Sequence, residues 1–191
     1  MTSEVAICNA ALAKVSNNRI TSLTEGSTAG DLCNEMYGRV RDRLLRRHIW
    51  NFNKKRVKLA QLSTAPVFGW TYAYQLPSDW VRNIAVYPDS AGIGQTHGYQ
   101  VEGRRILSDH ENIYLVYGAR ITDPNDFDDM FREALAYALA VELAVPLAKS
   151  ATLRDRMNEA FQAYVMEAQT IDGQDDPPEF AAEPGWATVR H

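Results

Sequence analysis

The sequence predicts an α+β protein: two helices, an antiparallel β insertion, two more helices and an extended tail. Three observations carry this. Apolar residues recur at three- and four-residue spacing up to about residue 48, alternate with period two from about residue 55 to 121, and return to helical spacing after Thr122-Asp123-Pro124. The expected divisions are 1–53 for the first helix pair, 54–121 for the β insertion, 122–173 for the second pair and 174–191 for the tail. The two helix pairs are expected to pack as a four-helix bundle, with the strands as a meander projecting from one end.

The first helix is expected from near Ser3 to Val15, with Ser3 as N-cap and Val5, Cys8, Leu12 and Val15 on one stripe. Ser16-Asn17-Asn18 carries turn residues and should end it. The second starts at Ser27, just past Gly26, and runs to about His48, with Ala29, Cys33, Met36, Val40 and Leu44 facing inward. Asp31 near its start and Arg46, Arg47 and His48 near its end complement the helix dipole. Trp50 and Phe52, at the helix-to-strand junction, read as core plugs.

Trp70, Tyr72 and Tyr74 alternate with Thr71, Ala73 and Gln75, the pattern of a half-buried strand. Ile84 and Val86 mark another. Tyr99 and Val101 face Ile106 across Glu102-Gly103 in a tight hairpin, and Ile113, Leu115 and Tyr117 alternate with Tyr114 and Val116. Beyond them Pro124 suits a first helical position, and Phe127, Met130, Phe131, Leu135, Leu139 and Leu143 form a wide stripe that Pro146 ends or kinks. A fourth helix is expected from about Ala151, with Leu153, Met157, Phe161, Tyr164 and Ala168 inward and Gly173 as its stop.

Composition bounds the function. A chain of 191 residues, 46% hydrophobic and 23% charged, can bury a full core without a metal or disulfide staple. The net charge of −4 argues against a surface that grips nucleic acid all over. No apolar run approaches the roughly 20 residues that span a bilayer, so no membrane partner is expected. Met-Thr-Ser-Glu-Val has no basic region ahead of an apolar stretch, so no signal peptide is expected and synthesis is placed in a cytoplasm. Cys8 and Cys33 read as small buried hydrophobes.

No motif carries a reaction. Gly92, Gly94 and Gly98 have the wrong spacing for a dinucleotide fingerprint and precede no helix. Asp123, Asn125, Asp126, Asp128 and Asp129 fail the calcium-loop pattern, with Asp128 and Ala134 where glycine and glutamate are needed, and suit capping instead. His48, His97, His110 and His191 lack metal-site spacing, so no metal and no cofactor are expected. Paired carboxylates such as Asp109 with Glu111, or Asp175 with Asp176, are the only material for glycoside hydrolysis.

Two features point to partners. The basic group running from Arg39 through Arg46 and Arg47 to Lys54, Lys55, Arg56 and Lys58 is either a solvated face or a surface for an acidic subunit or DNA phosphates. Phe180 and Trp186 sit on an otherwise polar tail, where docking onto a neighbouring subunit would cover them. Phe180, Trp186, Arg46, Arg47, Lys54, Lys55 and Arg56 are thus the candidate contact residues.

The run from Ile7 to Arg56 reads I-C-N-A-A-L, R-I-T-S-L-T-E-G-S and L-C-N-E-M-Y-G-R-V-R-D-R-L-L-R-R-H-I-W-N-F-N-K-K-R. It resembles the head–tail adaptor proteins of short-tailed bacteriophages, also called tail tubular protein A. F-G-W-T-Y-A-Y-Q-L-P at 68–77, Y-Q-V-E-G-R-R-I-L at 99–107, T-D-P-N-D-F-D-D-M-F at 122–131 and A-V-E-L-A-V-P-L at 140–147 look like further landmarks of that family. The resemblance implies a helical bundle with an antiparallel β portion. It also implies a dodecameric ring at the head–tail junction of the virion, between the portal protein and the tail nozzle protein, which helps retain the packaged DNA passing through it. Some members of the family are credited with polysaccharide hydrolysis, so a tail-associated capsule hydrolase is the alternative, and a small DNA-binding adaptor using the Arg-rich helix a third reading.

Overall fold

Residues 2–174 are described by a computed structural model. The chain is α+β, with helices α1 (Glu4–Lys14), α2 (Thr28–Arg47), α3 (Asp129–Ala148) and α4 (Ala151–Gln174). Between α2 and α3 lie strands β1 (Lys54–Lys58), β2 (Tyr72–Gln75), β3 (Trp80–Tyr87), β4 (Tyr99–Glu102), β5 (Arg105–Ser108) and β6 (Tyr114–Ala119). Short 3₁₀ turns at Asn51–Asn53 and Pro124–Asp126 join the strands to the helices on either side.

Local chemistry sets the helix ends. Ser3 and Ser27 cap α1 and α2, each hydroxyl accepting from a backbone N–H three residues on. The exit of α1 is a Schellman motif without glycine: Ser16 takes a left-handed φ of 56°, while Asn17 N–H donates to the Leu12 carbonyl and Ser16 N–H to Ala13. Asn9 then fixes the following loop by exchanging two hydrogen bonds with the Ile20 backbone, at 2.8 and 2.9 Å.

The loop into α2 is organised by Glu25. One carboxylate oxygen accepts from Thr21 N, Thr21 Oγ1 and Ser22 N, and the other from Ser27 Oγ. The Ser27 and Thr21 bonds hold the Glu25 carboxyl down at about 2. Its folded value lies below the unfolded one of 4.5, so its contribution is present above pH 4.5 and is lost as pH falls toward 2. Glu25→Gln should therefore flatten the fall in stability between those pH values; superimposable acid-unfolding curves would refute this.

Two apolar cores follow from the period change. The first joins α1, α2, α3 and α4, with α3 as the hub: Phe131, Ala134, Leu135, Leu139, Leu143 and Ala144 are fully buried along it. Cys8 and Cys33 meet where α1 crosses α2, and their contact together with burial pushes the Cys8 thiol well above the ordinary range. The α2 stripe is rotated from the expected one. Tyr37, Arg41 and Leu45 are buried beside Cys33, Val40 and Leu44, whereas Met36 is only half-buried.

The strands do not form a single meander. They make two three-stranded antiparallel sheets, ordered β1-β6-β3 and β2-β5-β4, in which only β4 and β5 are sequence neighbours. Glu102 pairs with Arg105, so the hairpin loop is Gly103-Arg104, and Gly103 supplies the positive φ that a two-residue turn demands. The sheets share the second core, where Leu59, Val86, Leu115 and Tyr117 of one side meet Tyr74, Leu76 and Ile106 of the other.

Two helix-boundary expectations are corrected. Pro124 opens a 3₁₀ turn capped by Asp123, and α3 begins only at Asp129, where the Asp128 carboxylate accepts from Met130 N and Phe131 N. A second acidic cap thus outcompetes the proline. Gly173 lies inside α4 and does not stop it. Pro146 also stays within α3, which ends at Lys149 in a left-handed conformation.

Candidate interaction surfaces

The junction between helices and sheets is an aromatic cluster. Trp50 is fully buried, with Phe131 edge-on at 5.2 Å, His48 at 4.8 Å and Phe52 at 6.3 Å; Phe52 and Phe127 each meet Phe131 edge-on. The indole N–H donates to the Leu44 carbonyl at 3.3 Å. Trp50 is the core plug expected from sequence, whereas Phe52 is only half-buried against the same core. The same junction fastens the last turn of α4: Asp172 accepts from Asn51 N at 2.9 Å, its other oxygen meets His48 Nε2 at 2.9 Å, and its carbonyl accepts from Asn51 Nδ2 at 2.6 Å.

The candidate contact residues separate into groups. Arg46 donates to the Val81 carbonyl at 2.6 Å and Arg82 returns a bond to the Arg46 carbonyl, which ties α2 to β3. Arg47 bonds Gln162 and lies 5.2 Å over the Phe161 ring, which ties α2 to α4. Both arginines thus hold contacts within the fold while remaining exposed. Lys55 pairs with Asp79 at 2.7 Å, and Asp79 also accepts from Tyr117 Oη at 3.0 Å. Burial opposes the Asp79 charge, but the bonds from Lys55 and Tyr117 prevail and hold its carboxyl below the usual range. Burial and that same bond push the Tyr117 hydroxyl up to about 12.

Lys54 and Arg56 fall on the opposite face of β1 from Lys55. With Lys58 they line the outer side of the first sheet, beside Gly118, Val116 and Tyr114 of β6. Lys58 lies 5.5 Å over the Tyr114 ring. A groove of about 320 Å³ opens there between β1, β6 and the loop after β3. Phe180 and Trp186 lie outside the described residues.

A larger cleft, about 770 Å³, lies between the 64–70 loop and the outer face of the second sheet. Several of its polar groups are engaged within the fold: Trp70 Nε1 donates to Gln100, Gln100 to Glu102, Gln75 to the Arg104 carbonyl, and Arg104 to the Pro77 and Ser78 carbonyls. Asp109 accepts from Thr71 N and Thr71 Oγ1, bonds that hold its carboxyl below the usual range and fix the start of β2. Among the described residues no group of three or more His, Cys, Asp or Glu is placed to hold a metal ion, and no helix is long and apolar enough to cross a membrane.

The feature sequence reasoning passed over is the tip of the 64–70 loop. Val67 is 98% and Phe68 86% exposed, and Ile93, in the glycine-rich loop after β3, is 77% exposed. Phe68 belongs to a stretch that stood out only as a landmark; the signal that marks it is an apolar pair between Pro66 and Gly69, with Gly69 at a φ of 83°. Neither a protein-family model nor a curated protein matches this chain.

Proposed function

We propose that the chain is a structural virion protein: a head–tail adaptor that assembles as a dodecameric ring between portal and tail nozzle and helps retain the packaged DNA. The reading rests on the resemblance of the 7–56 run and of the later landmarks to that family of short-tailed phages, whose helical bundle with an antiparallel β portion is the finer form of this α+β plan. One structural observation carries it further. Among the described residues the three barest large apolar side chains, Val67, Phe68 and Ile93, all lie in loops of the β portion, ahead of Met166 on α4 at 67%, and a protein partner covers loop residues at least cost in backbone rearrangement.

In this reading the protein is made in the bacterial host cytoplasm and ends at the head–tail junction. It acts through subunit contacts rather than catalysis. The landmarks have clear structural duties: the T-S-L-T-E-G-S run is the Glu25-centred loop, and W-N-F is the aromatic junction. The test is to mix the purified chain with its cognate portal protein and examine the product by electron microscopy and native mass measurement. Twelve-fold rings on the portal are expected; absence of any portal association would sink the proposal.

A further inference from the structure

We propose that the bare loop tip Val67–Phe68 of one copy of the chain enters the groove on the first sheet of the next copy, joining subunits head to tail. The inference names the copy-to-copy contact of the proposed ring, and it rests on that reading for the closure of the ring alone.

The tip is apolar and braced. Residues 63–71 carry no charge, and Val67 and Phe68 are the most exposed large apolar side chains among the described residues. Both stems of the loop are fastened to the second sheet. Leu62 N donates to the Ala73 carbonyl at 2.8 Å on one side; Trp70 Nε1 donates to Gln100 and Thr71 N to Asp109 at 2.9 Å on the other. Pro66 fixes its own φ and Gly69 turns the chain at a φ of 83°, so little backbone freedom is lost when a partner covers the tip.

The groove is a matching hole. Tyr87, Tyr114 and Val116 supply its apolar wall, and Ser90 and Gly92 of the loop after β3 close one side. Its volume of about 320 Å³ is at the small end of natural binding pockets and suits one aromatic ring. Ile93, next to the groove-lining Gly92, is the third bare apolar side chain. The loop that carries it is held by the bond from Thr96 N to the Val86 carbonyl at 2.9 Å and by Thr96 Oγ1 against His110 Nε2 at 3.0 Å. Entry of Phe68 beside Ile93 thus covers all three bare side chains in one contact.

Position selects a second copy as the occupant. The sheets share one core through their inner faces, with Leu115 and Tyr117 on one side and Tyr74 and Ile106 on the other. The tip lies over the outer face of the second sheet and the groove on the outer face of the first, so they face away from each other. A tip cannot enter the groove of its own chain. It meets that of a neighbour related by rotation, the heterologous geometry that closes into rings. Charge agrees with this pairing. Exposed Glu102 and Arg105 line the cleft beside the tip and exposed Arg56 and Asp89 line the groove, so each face offers the other a carboxylate and a guanidinium.

The test mixes two full-length variants, Val67→Cys and Ser90→Cys, and treats them with a short bismaleimide, as concentrated free chain and with the portal protein. Cys8 and Cys33 are buried and stay unreactive. A link from position 67 of one copy to position 90 of another is expected with the portal and, at lower yield, in the free chain. Adding Phe68→Ser to the first variant should cut that yield about 30-fold while thermal unfolding is unchanged. Links of 67 to 67, of 90 to 90 or of 67 to the portal, no link on assembled rings, or a yield indifferent to Phe68→Ser would each overturn the contact and leave the adaptor reading standing. A 67-to-90 link in free chain that never associates with the portal would support the contact and sink the adaptor reading instead.

Discussion

Trp50→Ala should remove most of the protein's stability. The indole is fully buried and touches His48, Phe52 and Phe131, and it stands where the helical core meets the strands. Truncating a buried tryptophan costs about 3–5 kcal/mol through lost transfer energy and the cavity left behind. The Leu44 carbonyl also loses its indole donor. A domain of this size has about 5–15 kcal/mol in total, so the variant should unfold at markedly lower urea, with α4 released first because His48 and Asn51 hold Asp172. Trp50→Phe should recover a large part of the loss. A midpoint for the alanine variant within about 0.5 M urea of wild type would contradict the central role of the junction.

The parts of this fold that sequence reveals are those decided by neighbours a few residues away. Ser3 and Ser27 cap their helices through bonds to residues three positions on, so both helix starts are readable from the chain alone. The start of α3 shows the limit of the same reasoning. Pro124 and Asp128 are both good N-terminal signals, and the choice falls to Asp128 because Phe127 and Phe131 must reach the aromatic cluster together. Strands were legible as strands, since period-two alternation is local. Their pairing was not, because β1 finds β6 and β2 finds β5 only through the closure of long loops.

The contacts that the basic cluster makes within the fold were hidden for a related reason. A run of arginines has the same sequence whether it faces solvent or a carbonyl, and only the tertiary fold brings Val81 to Arg46 and Gln162 to Arg47. Burial on both faces of β2 was equally hidden. Ala73 and Tyr74 are both covered because the 64–70 loop folds back over the outer side of the second sheet.

That loop also carries the largest functional effect expected. Val67→Ser with Phe68→Ser should leave the fold intact and abolish assembly on the portal. Both side chains are almost wholly exposed in the isolated chain, so little native contact is lost and stability should stay within about 0.5 kcal/mol of wild type. In an assembled ring the same side chains would be covered. A central aromatic anchor in an interface typically costs about 2 kcal/mol or more per subunit when truncated, and a closed ring repeats that loss at every interface. The Trp50 variant serves as the contrast: it should fail to assemble because it fails to fold, whereas the loop variant should fail with an unchanged melting curve. If the loop variant forms rings on the portal as well as wild type does, Val67 and Phe68 are not the contact. The adaptor proposal would then have to rest on another surface, with Ile93, 77% exposed, the next residue to replace.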